Sequence, residues 1–413
     1  MNKQVFGSNL ESLMIAIPCA LLWQTGCQNS DTAPDPNAPA GACKQWSWEF
    51  DRVDQSPISG YGASIAVTAD RIWISSIRAT GPLGDMMGAT KLFDIGMWKP
   101  EQLSFTGSYG DKTDLVVGDD GLVYAAFHQA EEGYLRIATQ GGDIWTMKNI
   151  QSETARIGNI PGIISVGDTL QVAHADGYNA LTSPTPLLFT TVEHASSETR
   201  ELVNRGGTLS TPTSLDVARH GTTTGIVYAF TDGQGATKGD LSFVTLADGG
   251  EPVLSTIIEP STGFEALDVH LASTSNDGWL AVFGGNYENE AEVEVDGVYR
   301  AVWDGEHWSV RQMADIGACH TSLAVDANDE AFAVATQIEH GTMTLSYGPA
   351  AGEWLTEEVE VPQEFGALSW PSLAIDAQGR LHAAFLSYQD GETHLVYGRG
   401  TPTPKVCEGP EAN

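Results

Sequence analysis

The residues of this chain with the means to do chemistry are aromatic rings, imidazoles and carboxylates scattered along its whole length. Tyr61, His128, His174, Tyr178, Tyr287, His320, Trp370, Tyr388 and Asp390 fall in or beside short polar segments that separate apolar runs. Rings of this kind stack on sugar faces and attract cations, and carboxylates between them take charge-assisted hydrogen bonds. The pattern predicts a ligand-binding face suited to a carbohydrate or a cationic group. Lys112 joins Tyr61, His320 and Trp370 in the segments that lead into strands. Were these groups to converge on one concave place, a specific ligand would follow.

Other chemistries are excluded by spacing. No histidine pair has the His-x-x-x-His spacing of a helical zinc site, so no metal site and no cofactor are expected. Calcium is the one cation that the carboxylate content would admit, but Asp326-Ala327-Asn328-Asp329-Glu330 reads as a hairpin turn, lacking the Gly and distal Glu of a chelating loop. There is no Gly-x-Ser-x-Gly elbow and no phosphate-binding glycine loop with lysine. Cys319 precedes His320, but neighbours on an extended segment point to opposite faces, which argues against a thiolate–imidazole pair. With 54 acidic and 20 basic residues and a formal net charge of -34, the chain repels nucleic acid and anionic lipid.

The elements that must position these residues are betrayed by a repeat. Ser322 opens SLAVDANDEAFAVAT and Ser372 opens SLAIDAQGRLHAAFL, and the same strand, polar turn, strand shape recurs from Ser64, Asp114, Gly162, Ser214 and Ala266. A third short run follows each pair, and a fourth opens on tryptophan with an apolar residue five positions later: Trp98 with Leu103, Trp145 with Ile150, Trp308 with Met313, Trp354 with Val359. Four strands repeated seven times predict an all-β fold, a seven-bladed β-propeller of four-stranded antiparallel blades starting near 64, 114, 162, 214, 266, 322 and 372. The last copy lacks its Trp-led strand. Trp48 and Val53 supply that spacing at the other end, so a closing strand over 46–53 is expected as the outer strand of the last blade, leaving no open edge.

The remaining segments read as address and staple. Leu13 to Trp23 is an apolar run too short to span a bilayer and suited to a signal peptide over 1–26. Thr25-Gly26-Cys27 resembles the cleavage box of bacterial lipoproteins, which makes Cys27 the lipidation site, and the Pro-, Ala- and Asn-rich stretch 27–42 a tether with little to bury. The domain then runs over 43–407, with a tail at 408–413. In an oxidising compartment a disulfide between Cys43 and Cys407 is expected to staple the seam, leaving Cys319 a buried thiol.

The phrase Ser-Leu-Ala-Ile-Asp-Ala-Gln-Gly-Arg-Leu-His-Ala-Ala-Phe at 372–385 resembles the repeats of bacterial sialidase-like and lectin-like propellers, a group that includes surface lipoproteins. The shared positions are strand cores and turns, so the resemblance implies architecture far more than chemistry. The Asp-box turn Ser-x-Asp-x-Gly-x-Thr-Trp is missing, the arginines are scattered, and Arg156-Ile157-Gly158 does not continue as the expected Arg-Ile-Pro. Sialidase activity is not expected. The leading expectation is an exported, envelope-tethered, noncatalytic module at the outer membrane or cell surface, or else secreted, that binds a glycan or protein partner and meets the membrane only through its lipid. The alternatives are a carbohydrate-active hydrolase or lyase and a structural envelope protein.

Overall fold

The computed structural model describes residues 44–54, 60–80, 83–92, 97–104, 109–129, 134–141, 144–150, 157–176, 186–193, 196–203, 211–231, 238–262, 265–275, 278–288, 294–314, 316, 320–337 and 341–404. All five cysteines lie outside them, so the lipid site at Cys27, the bridge between Cys43 and Cys407 and the thiol of Cys319 are not addressed by the structure. Gln45–Thr403 forms one compact unit. Of the second unit, Met1–Lys44 with Pro404–Asn413, the described residues are the strand ends Lys44 and Pro404. No helix among the described residues is long and apolar enough to cross a membrane.

Short apolar strands broken by Asp- and Gly-rich turns pair antiparallel with their neighbours in sequence, and the described residues form seven four-stranded sheets. Six blades run inside to outside in chain order. The seventh takes its outermost strand, Lys44–Arg52, from the other end of the chain, beside Glu392–Pro404. The seam is tied by Val53 N–H to Leu395 O at 2.9 Å, Thr403 Oγ1–H to Gln45 O at 2.8 Å and the Arg399–Glu49 ion pair at 2.5 Å. The seven-bladed propeller and its N-terminal closure are therefore as the repeat predicts.

The core is a ring of layers between blades. Trp73 and Met86 of blade 1 pack on Phe127 and Leu115 of blade 2, Phe189 on Tyr228 between blades 3 and 4, and Phe332 on Phe385 between blades 6 and 7. The Trp-led outer strands reach back to the preceding blade: Trp145 lies 6.0 Å from Trp73, Trp308 5.0 Å from Phe243, and Trp98 5.1 Å from Tyr397. In the closing strand Trp46 takes this place, 5.5 Å from Phe332 of blade 6.

The inner strands are Tyr61–Val67, Tyr109–Val117, Ile157–Val166, Thr211–His220, Glu265–Ser273, His320–Val325 and Ala367–Ile375. A belt of side chains joins one to the next. Ser64 Oγ accepts Leu115 N–H at 3.0 Å, Asp114 Oδ2 accepts Ile163 N–H at 2.8 Å, and Ser214 Oγ accepts Val269 N–H at 3.0 Å. Ser322 Oγ accepts Leu373 N–H at 2.9 Å, and Ser372 Oγ closes the ring on Ile65 N–H at 3.1 Å. Inner-strand N–H groups face the next blade rather than a further strand, so the belt supplies acceptors that the sheets cannot.

Candidate functional site

The belt fixes which residues are equivalent, and the site grows from two positions relative to it. Two residues before each belt residue the strand enters the ring, at Gly62, Lys112, Ile160, His320 and Trp370 among others. Gly62, Ile160 and Trp370 have φ of 52°, 51° and 46°, and register shifts interrupt the pairing at Tyr61/Ser64, Asn159/Gly162 and Ser369/Ser372. A bulge of this kind re-aims the side chain it carries. Because Ile160, which takes no part in the site, shares the geometry of Trp370, the left-handed backbone belongs to the fold rather than to one function.

The entry residues of neighbouring blades meet. Tyr61 of blade 1 lies 5.6 Å from Trp370 of blade 7, and Trp370 lies 5.2 Å from His320 of blade 6, both edge to face. His320 Nδ1 then stands 3.9 Å from Asp268 Oδ2 of blade 5. Asp268 occupies the belt position of its blade, but its Oδ1 takes a hydrogen bond from Ser214 Oγ at 3.3 Å and lies 3.4 Å from His270 Nε2. His270 Nδ1 is 3.6 Å from Asp216 Oδ2 of blade 4. Asp216 is itself held by the N–H groups of Leu271 and Val217, at 2.8 Å each. Lys112 reaches across from blade 2 and donates to Leu215 O at 3.3 Å.

Electrostatics bind these groups into one unit. Burial works against the charge on Lys112, but the carboxylates of Asp268, Asp216 and Asp114 outweigh it and hold the ammonium above its ordinary value. Burial likewise works against charge on His270, yet Asp268, with the contacts to Asp216, raises its imidazolium to about 9. Asp268, in spite of burial, is kept well below the usual carboxylate range by His270, His320 and Lys112. Asp114 goes the other way. Burial, then the Asp216 carboxylate, pushes it up to about 6 against Lys112 and the bonds from Ile163 N–H and Ser64. Carboxyl groups whose values are driven apart are the raw material of acid–base chemistry.

The face expected from the sequence is gathered in part. Tyr61, His320 and Trp370 come together, and Lys112 joins the charged side of the same site. Tyr388 is partly exposed and close to Tyr61, its phenol pushed up by the partial burial and by that neighbour. Asp390 is exposed in the turn that follows. His128 and His174 are instead 2% and 0% exposed between blades 2 and 3, with burial lowering them to about 4 and about 3. Tyr178 and the side chain of Tyr287 lie outside the described residues. Sequence reasoning missed Asp216, Asp268 and His270. The one hint, that a carboxylate inside an apolar strand core needs a partner to be buried, does not say which partner or on which blade. No group of three or more His, Cys, Asp and Glu side chains is arranged to hold a metal among the described residues.

The chain matches no family model and no curated protein. Among solved structures it is similar to a polysaccharide lyase described as an ulvan lyase, with 10% identity, a TM-score of 0.56, and coverage of 82% of this chain and 93% of that one. It is also similar to an α-L-arabinanase of Penicillium chrysogenum complexed with arabinobiose, with 12% identity, a TM-score of 0.52, and coverage of 70% and 92%. A third is the α-L-arabinofuranosidase of Fusarium graminearum with an iminosugar inhibitor, with 10% identity, a TM-score of 0.51, and coverage of 70% and 92%. At such identities the likeness is one of fold. It bears out the propeller in the sequence resemblance and gives no support to the sialidase-like part. It does correct the expected noncatalytic module: these neighbours are described as polysaccharide lyases, an α-L-arabinanase and an α-L-arabinofuranosidase, which backs the carbohydrate-active alternative over the binding-only reading.

Proposed function

We propose that this chain is a carbohydrate-active enzyme that cleaves a glycan at the centre of the propeller. The observation that carries the reading is the unbroken run of contacts from Tyr61 through Trp370 and His320 to Asp268 and His270, which sets an aromatic wall against proton-holding groups. A sugar ring stacked on that wall has its glycosidic oxygen within reach of groups that hold or accept protons. His320, oriented by Asp268, is the proton-transfer group on the aromatic side. Asp114 keeps a proton to about pH 6 on the charged side. Hydrolysis would break the bond between the anomeric carbon and the bridging oxygen, with a proton delivered to that oxygen and another taken from the attacking water.

Charge favours hydrolysis over uronate elimination. A lyase substrate carries a carboxylate on the reacting sugar, whereas the cluster already holds the carboxylates of Asp114, Asp216 and Asp268, and the whole chain carries a net -34. An uncharged or cationic glycan suits it better. The sequence at 13–27 supports export of this enzyme on a lipid at Cys27, a reading that palmitate labelling of wild type and Cys27→Ser would test.

Incubation with a panel of neutral, cationic and acidic polysaccharides, read by new reducing ends and by ultraviolet absorbance of unsaturated products, tests the proposal. Reducing ends without unsaturation are expected, with His320→Gln lowering kcat by about 10²-fold or more. Unsaturated products would make it a lyase, and a fully active His320→Gln would move the chemistry elsewhere.

A further inference from the structure

The aromatic wall at the centre is continued outward by a ring that the fold itself does not use. Among the described residues, Tyr388 is the one aromatic side chain more than a third exposed, at 38%, and its phenol makes no hydrogen bond. It lies in the strand Leu381–Gln389 of blade 7, where Ala384, Leu386 and Tyr388 share one face. That face is turned to blade 1. Ala384 packs with Ala63 and Ile65, and a Cβ at Gly60 would fall 3.1 Å from Cδ1 of the buried Leu386. Gly60 precedes Tyr61, whose ring stands 5.6 Å from Trp370. Tyr61 therefore neighbours both rings, Trp370 on the inner strand of blade 7 and Tyr388 one strand further from the axis.

The backbone that carries Tyr388 is clamped. Ser387, fully buried, donates its hydroxyl to Phe365 O, and Gly366, at φ 60°, leaves no room for a Cβ against Tyr388 O. Past Tyr388 the chain reverses through Asp390 and Gly391, at φ 53° and 83°, a two-residue turn that sets Gln389 opposite Glu392. Arg52 of the closing strand then donates to Gln389 Oε1 at 2.8 Å. A fixed backbone thus presents a flat ring to solvent beside a wall of rings, and no bond within the fold occupies its hydroxyl.

We infer that Tyr388 is the platform of a further sugar subsite, outward from the Tyr61–Trp370 wall along the seam of blades 7 and 1, and that the ligand is a neutral glycan of several sugars. A tyrosine offers an apolar face to the C–H side of a sugar and a phenol to its hydroxyls. The exposed carboxylates of Asp390 and Glu392 beside it work against an acidic sugar. The inference rests on the glycan-cleaving reading for the course of the bound chain. Because Tyr388 stands away from the reacting groups, its contacts are alike in the bound and transition states, so they act on KM and leave kcat unchanged.

Electrophoresis of the full chain through gels holding linear arabinan, galactomannan, xylan or mixed-linkage β-glucan reads binding whether or not the glycan is cleaved. Wild type should be retarded in at least one, Tyr388→Phe should match it, and Tyr388→Ala should lose most of the retardation with its melting temperature unchanged. Oligosaccharides of two to six sugars, cut from the polysaccharide that retards wild type, are then titrated by calorimetry. Tyr388→Ala should bind the shortest as wild type does and the longest about tenfold more weakly. An equal loss at every length, no loss at any, or wild type that no neutral polysaccharide retards overturns the subsite. So does a wild-type affinity that stays flat beyond two sugars, a comparison that needs no variant to fold. Length-dependent binding through Tyr388 without cleavage removes the enzymatic reading and leaves this one standing. Cleavage with the same KM in wild type and Tyr388→Ala at all lengths does the reverse.

Discussion

At the scale of single residues, histidines set opposite limbs of the pH–stability curve. His270 is ordinarily protonated below 6.5 and stays protonated to about 9 in the fold, because Asp268 and Asp216 outweigh the burial that opposes its charge. Its contribution is complete below 6.5 and is lost as pH rises towards 9. At full size it would be about 3 kcal/mol. Denaturant unfolding of wild type and His270→Gln across that range should show a difference that shrinks on the alkaline side, and a difference independent of pH would count against the paired imidazolium. His128 and His174 act with the other sign. Burial holds them neutral to about 4 and about 3, while the unfolded chain takes up protons from 6.5 downward, so their share of stability falls as pH falls through that window. A His128→Asn, His174→Asn double variant should lose less stability than wild type between neutral pH and about pH 4. The same residues mark the limit of sequence reading. Tyr61, His320 and Trp370 were legible because aromatic and imidazole groups stood at strand entries. Asp216, Asp268 and His270 were not, because inside SLDV and LDVHL they pass for ordinary strand residues until the register shows which blade each one faces.

At the scale of elements, strands and blades were readable because two signals agreed. The repeated apolar strand, polar turn, apolar strand shape marked the strands, and the Trp-to-apolar spacing of the outer strands marked their place, since those rings pack on the blade before. The belt was not readable. Serine at Ser64, Ser214, Ser322 and Ser372 looked like a strand-opening residue, and only the three-dimensional ring gives its hydroxyl a backbone N–H from the next blade to accept. Ser322 is 2% exposed, so Ser322→Ala strands Leu373 N–H in the interior. A loss of about 1–3 kcal/mol is expected, seen as a lower urea midpoint with an unchanged slope. A neutral Ser322→Ala would mean that the blades hold together by apolar packing alone. A change of slope would mean that the ring itself had opened.

At the scale of the whole molecule, the ring makes one site out of blades far apart in sequence, so closure and function are coupled. The charged side draws on blades 2, 4 and 5 and the aromatic side on blades 6, 7 and 1, with Trp370 and Tyr61 meeting across the seam between the last blade and the first. Architecture was legible from the repeat, but chemistry was not, because a repeat records what all blades share and the site consists of what each blade does differently. Trp46 ties the closing strand of blade 7 to blade 6, 7% exposed and packed on Phe332 and Tyr347. Trp46→Ala removes a large buried ring and should cost about 3–5 kcal/mol. Removing the closing strand altogether, by starting the chain after Asp54, uncovers the edge of Glu392–Pro404 and leaves blade 7 with three strands. Such an edge invites pairing with a second molecule. The shortened chain should associate or aggregate in sedimentation and lose the Tyr61–Trp370 contact, with tryptophan emission shifted towards that of solvent-exposed rings. A monomeric truncated chain with the wild-type spectrum would show that the aromatic wall is held by the inner strands and the belt bond from Ile65 N–H to Ser372, independently of the outer strand.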